Sequence, residues 1–232
     1  MNSLDLTVAD LIDQLEADLP DTDHLLKITE AQRRARSLVG LSELLVGHYV
    51  ARAKIANISW SRIGEAVGVT KQAAQERWNP QTSALFTTHA RKAVVLSHEA
   101  ARARRHHRLG TEHLLLGILG EPQGLAGQIL LRLTGSIQRI EAAIESKLEP
   151  GTHDSPPKIP LTALGQAAQQ GALDQAVDLR HDHIGTEHLL LGLLVVADGL
   201  AARALGEMNV DLAAVRRLVA EHSPGRPRHT AR

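Results

Sequence analysis

Along the chain, apolar residues return at steps of three and four, the spacing of helices that bury one face. Val8 to Asp18 reads as a short amphipathic helix opened by Thr7 and Asp10, which are placed as a capping box. The segments "DHLLKITEAQRRARSLV" and "LSELLVGHYVARAKIANI" have spacings that predict packed helices. From Ser59 to Trp78 the pattern shortens. A helix holding Ile63, Ala66 and Val67 is followed by a turn at Gly68, by Val69 as a core plug, and by a second helix that Thr70 would cap.

Beyond Phe86 the pattern doubles. Shifted by 75 residues, Phe86 to Leu148 aligns without a gap on Leu161 to Ser223, and the octet GTEHLLLG is identical at Gly110 to Gly117 and Gly185 to Gly192. Each copy reads as four helices, which in the first lie near 88–104, 111–119, 123–133 and 136–148. Thr111 and Thr186 stand where an N-cap belongs, with Glu112 and Glu187 in the first turn, where the helix dipole favours an acid. Aspartate or serine would cap equally well, so capping does not by itself fix these letters.

These patterns divide the chain into a helical region over 1–81 with the two-helix segment at 59–78, repeat 1 over 85–148, repeat 2 over 161–223 and a basic tail over 224–232. The four prolines of "EPGTHDSPPKIP", 149–160, make that stretch a linker. The tail "SPGRPRHTAR" has the composition of a disordered segment.

Composition narrows the fold class. Hydrophobic residues make up 43% of the chain but aromatics only 2%, which favours close helix packing and an all-α protein. The absence of cysteine excludes disulfides and thiolate zinc sites and suits a reducing cytoplasm. The N-terminal stretch lacks the pattern of a signal peptide, and no segment reaches the length of a membrane span, so a cytoplasmic protein without membrane contact is expected. Formal net charge is zero, so affinity for nucleic acid has to come from a local patch.

The stretch "FTTHARKAVVLSHEAARARRHHRLGTEHLLLGILGEPQGLAGQIL" and its second copy resemble the tandem repeat of the Clp N-terminal domain, especially that of ClpC-type unfoldases. The resemblance implies a pseudo-twofold pair of four-helix motifs that receives substrates, adaptors or arginine-phosphorylated proteins. It also implies that Glu112 and Glu187, with Thr111 and Thr186 beside them, contact phosphoarginine. A carboxylate takes a guanidinium through paired N–H bonds, and helix N-termini suit a phosphate. A plain first-turn acid is the alternative reading of each glutamate. The sequence departs from the family at "GEPQG" and "VVADG", where an acidic glycine-rich turn is usual, and at Leu161 and Gly165.

The histidines His106, His107, His113 and His188 show no H-E-x-x-H spacing and read as capping or partly buried polar groups, with no metal and no cofactor expected. No G-x-x-x-x-G-K-[ST] occurs, which removes the ATP cradle of an unfoldase, and no catalytic constellation is legible. A non-enzymatic protein follows.

The segment "SWSRIGEAVGVTKQAAQERW" is similar to a helix-turn-helix motif common in actinobacterial regulators. Its second helix would enter the major groove, with Lys71, Gln72 and Gln75 facing base edges and Arg62 and Arg77 on phosphates. Arg52 to Trp78 carries net +3. A helical hairpin used only for protein contacts is the other reading of the same segment. The combination resembles the ATPase-less ClpC-like proteins of actinobacteria. The expected partners are double-stranded DNA, phosphoarginine or a ClpC-directed cyclic peptide, the Clp machinery, and a second copy in a homodimer. An adaptor or decoy of the ClpC protease that acts without DNA is the competing function.

Overall fold

The computed structural model describes residues 7–20, 23–56, 58–78 and 85–222, so the basic tail expected after Ser223 lies outside the described residues. Twelve α-helices are present among them, and strand geometry is limited to two isolated bridges. The fold is all-α, as the composition predicted.

The chain divides into two compact units, Met1–Ser42 and Glu43–Arg232. The first holds α1 (Val8–Asp18) and the opening half of α2 (His24–Ile55). Thr7 caps α1 with a full capping box: its hydroxyl accepts the N–H of Asp10, and the Asp10 carboxylate accepts the N–H of Thr7 at 2.7 Å. The two segments read as packed helices are instead one 32-residue helix. Gly40 lies within α2 without ending it, because continuous backbone hydrogen bonding outweighs the modest cost of one glycine.

The second unit holds the rest of α2, then α3 (Trp60–Val67), α4 (Lys71–Trp78), α5 (Thr88–Ala103), α6 (Thr111–Leu119), α7 (Leu125–Thr134) and α8 (Ile137–Glu145). It continues with α9 (Ala163–Asp178), α10 (Thr186–Val195), α11 (Leu200–Gly206) and α12 (Leu212–His222). Ser59 caps α3, Gly68 ends it in the left-handed conformation at φ 74°, and Thr70 caps α4 by accepting the N–H of Ala73 at 3.1 Å. Ile63, Ala74 and Trp78 are buried between these helices, whereas Ala66 and Val67, expected beside Ile63, face solvent. Their core runs without a break into that of the repeats.

The helices of the two repeats correspond in order, α5 to α8 with α9 to α12, and the repeats are interlocked. The start of each pairs with the segment before GTEH in the other: Thr87 N–H donates to Ile184 O and Ile184 N–H to Leu85 O, while Leu109 N–H donates to Pro160 O and Thr162 N–H to Leu109 O. The proline-rich segment between the repeats is non-helical, as expected, yet it is fastened. Gly151 N–H donates to Arg104 O, the Ser155 hydroxyl to His106 O, and Ile159 is buried.

Candidate functional site

The repeated octet can be taken letter by letter. A glycine at 117 or 192 is required by close helix crossing, since a side chain there would collide with the carbonyl of Ala93 or Ala168 on the preceding long helix. The three leucines at 114–116 and at 189–191 are buried. The threonines do not cap their own helices. Gly110 and Gly185 occupy the N-cap positions, and Thr111 and Thr186, each only 1% exposed, reach across the pseudo-twofold axis. Thr186 Oγ1 accepts the N–H of Ala126 at 3.1 Å, and Thr111 Oγ1 accepts that of Ala201 at 3.4 Å. Each threonine satisfies a free amide in the first turn of the other repeat's third helix, a long-range use that local spacing could not reveal.

The capping falls to histidine. His113 Nδ1 accepts the N–H of Gly110 at 3.0 Å, and His188 Nδ1 accepts that of Gly185 at 2.9 Å. With Nδ1 an acceptor, the neutral ring carries its proton on Nε2, which lies 2.7 Å from His106 Nδ1 in repeat 1 and 2.8 Å from His181 Nδ1 in repeat 2. In repeat 1 the relay ends on a carbonyl, His106 Nε2 lying 2.7 Å from Glu149 O. A helix N-terminus, two rings and the linker are thereby tied in one direction. The signal was in the sequence: a His-x6-His spacing repeats at 106/113 and 181/188.

Only the glutamates are left without a packing role. Their side chains are 18% exposed at Glu112 and 12% at Glu187, folded over the helix N-terminus beside His113 and His188 at 3.0 and 3.2 Å. Their electrostatics differ. Burial pushes the Glu112 carboxyl up, but the His113 ring and the residue's own N–H outweigh it and hold the group below the usual carboxylate range. At Glu187 burial prevails and raises the carboxyl, and burial together with His181 lowers His188 to about 3. The two sites thus differ in charge preference. His181, Glu187 and His188 bring one possible metal-ligand atom each within 4.8 Å of one another, yet both nitrogens of His188 are engaged in hydrogen bonds.

The second group of predicted residues lies on α3 and α4. Lys71, Gln72 and Arg62 are exposed, and no acid falls in the first turn of α4. Gln75 and Arg77 are placed otherwise. Arg77 is held by both carboxylate oxygens of Glu43 and lies over the Trp78 ring, 5.1 Å from its centroid. Gln75 is half-buried and turns into a cavity of about 590 Å³ whose walls also include Trp78, Phe86, Leu161 and Gln170. α4 therefore shows one face to solvent and shares the other with the repeats. Trp78 Nε1 and Gln170 Oε1 are buried there without hydrogen-bond partners.

Comparison with known proteins agrees with this architecture. The family model of the Clp repeat (R) N-terminal domain matches residues 85–170 and 161–231. This chain belongs to that family. An uncharacterized protein of Mycobacterium tuberculosis is 36% identical over 188 residues, covering 77% of this chain and 74% of that protein. Chaperone protein ClpC1, chloroplastic, of Arabidopsis thaliana is 32% identical over 167 residues, covering 70% of this chain but only 18% of the chaperone. The N-terminal domain of Hsp104 from Candida albicans shares the fold, with a TM-score of 0.52 at 16% identity, covering 61% of this chain and 93% of that domain. The match to the mycobacterial protein extends beyond the repeats. No single helix among the described residues is long and apolar enough to cross a membrane.

Proposed function

We propose that this protein is a non-enzymatic, cytoplasmic regulator in which α3 and α4 bind duplex DNA and the Clp repeats sense a ligand that alters that binding. The observation that supports this most is the double use of α4. Its exposed face carries Lys71 and Gln72, and its opposite face, through Gln75 and Trp78, walls a cavity shared with the repeats. A change of packing in that cavity has a direct mechanical route to the DNA-facing side. Glutamine suits adenine N6 and N7, and lysine suits guanine or phosphate. Arg62 is exposed for a phosphate.

The ligand proposed for the repeats is phosphoarginine, free or on a protein, held by Glu112 and Glu187. The support is that every other letter of the octet has a packing or capping role, while the glutamates keep partly exposed carboxylates at helix N-termini. Thr111 and Thr186 would act by fixing the two repeats, since their hydroxyls are engaged. A ClpC-directed cyclic peptide is the second ligand class, favoured by the apolar lining of the cavity. Coupling requires the ligand to bind the DNA-free form more tightly than the bound form, since equal affinity shifts nothing.

The competing function is a decoy or adaptor of the Clp machinery that never touches DNA. Calorimetry with phosphoarginine, on the wild type and on Glu112→Ala with Glu187→Ala, run with and without DNA, separates the two. A regulator loses DNA as phosphoarginine is added and keeps it in the double variant. Phosphoarginine binding that vanishes in the variant, in a protein silent towards DNA, establishes the decoy.

A further inference from the structure

We propose that the α1–α2 hairpin is a homodimerisation surface through which two copies of this chain pair. The starting observation is an inversion. The side of α2 that meets α1 is polar: Lys27 pairs with Glu16, and Arg34 with Asp18 at 2.6 Å. The apolar side of the same helix faces away. Leu25, Ile28, Gln32, Ala35, Val39 and Ser42 follow one another at steps of three and four, the a and d positions of a heptad, and all six are exposed. Leu25 is 70% exposed, Ile28 56% and Val39 62%. On α1, Val8 and Ile12 are exposed as well.

A unit built this way has no core to hold it. Among its described residues only Gly40 is fully buried, with Leu11, Leu15, Leu19, Leu38 and Leu41 half-buried, and two helices with so little core fall well short of independent stability. A strict a/d stripe is the seam of a coiled coil, and the stretch Leu25 to Ser42 offers about 27 Å of it. The stripe is apolar at Leu25, Ile28, Ala35 and Val39 and polar at Gln32 and Ser42, a composition that fixes register at some cost in stability.

Charge identifies the occupant as a second copy. α1 carries Asp10, Asp13, Glu16 and Asp18 and no base, whereas α2 up to Arg36 carries Lys27, Arg33, Arg34 and Arg36 against Glu30 alone. Lys27, Arg33 and Arg34 pair within the hairpin with Glu16, Glu30 and Asp18, which leaves Asp13 on the acidic helix and Arg36 on the basic one to meet across a second copy. A twofold axis lets the acidic helix of each copy face the basic helix of the other, with every contact made twice. Asp13 borders the exposed strip of α1 and Arg36 that of α2, and both are exposed. The inference stands whether or not α4 binds DNA.

Sedimentation equilibrium of the full chain, from sub-micromolar to tens of micromolar, tests it. A mass of twice 25.1 kDa is expected, and Ile28→Asp with Val39→Asp should return it to 25.1 kDa. The melting of the repeats should not change, because both side chains are exposed and lie outside them. Asp13→Arg and Arg36→Glu should each weaken the dimer, and the two together should restore it. A wild type that stays monomeric throughout the range overturns the proposal, also where hydrogen exchange finds the stripe protected by the chain itself. A dimer unmoved by the paired aspartates, or unrestored by the double charge reversal, overturns it equally.

Discussion

Thr186 in the second repeat accepts the N–H of Ala126 in the first at 3.1 Å, and the reciprocal bond joins Thr111 to Ala201. All four groups are buried. Thr186→Val keeps the shape and removes the acceptor, which leaves an amide dry and unpaired at a cost of about 1–3 kcal/mol. Urea unfolding should register that loss, and Thr186→Ser should recover most of it. Gly124→Ala should mimic the valine variant, because its methyl would come within 2.6 Å of Thr186 Oγ1.

His188 makes stability depend on pH. Its folded pKa is about 3 against an ordinary 6.5, so between these values the unfolded chain binds a proton that the folded one refuses. Stability from this source is full above 6.5 and is lost as pH falls towards 3. Thermal melts from pH 7 to pH 4 should therefore decline. His188→Asn, whose Oδ1 can still accept the Gly185 N–H, should flatten the decline.

Burial raises the Glu187 carboxyl and so disfavours its charged form, whereas Glu112 is held low. Glu187→Gln should raise the melting temperature at pH 7, and Glu112→Gln should not. Both should lose phosphoarginine in calorimetry. A residue that destabilises the free protein and serves its ligand is the pattern of a binding group, and the opposite result would make Glu187 a structural acid.

Much of this fold was legible in the chain. The 75-residue duplication, the helices and the proline-rich break all rest on local spacing, and spacing is what a sequence displays. The role of the threonines was not legible, because their acceptors serve amides 60 and 90 residues away, while histidine takes the cap. The continuity of α2 through Gly40 and the exposure of Val67 were hidden for a related reason, as both depend on what packs alongside. Of the proposed DNA residues, Lys71, Gln72 and Arg62 are presented outward. Gln75 is drawn inward by the cavity, and Arg77, though exposed, is held by Glu43, contacts that no motif encodes.

Those two placements yield a prediction about salt. On a bound duplex, Arg62→Ala should reduce the slope of log affinity against log salt by about 1, as expected for one lost phosphate contact. Arg77→Ala should leave the slope unchanged and lower the melting temperature instead, through loss of its Glu43 and Trp78 contacts. Fluorescence anisotropy at three or more salt concentrations, paired with thermal melts, distinguishes the two.

The claim that α4 reads DNA is met most directly by incubating the purified protein with fragmented genomic DNA of its source at physiological salt. Bound fragments would be sequenced beside those of a Lys71→Ala, Gln72→Ala variant. A few discrete sites, lost in the variant, are the expected result. Recovery of no fragments, or of all fragments equally, would contradict it and leave a Clp-ligand decoy.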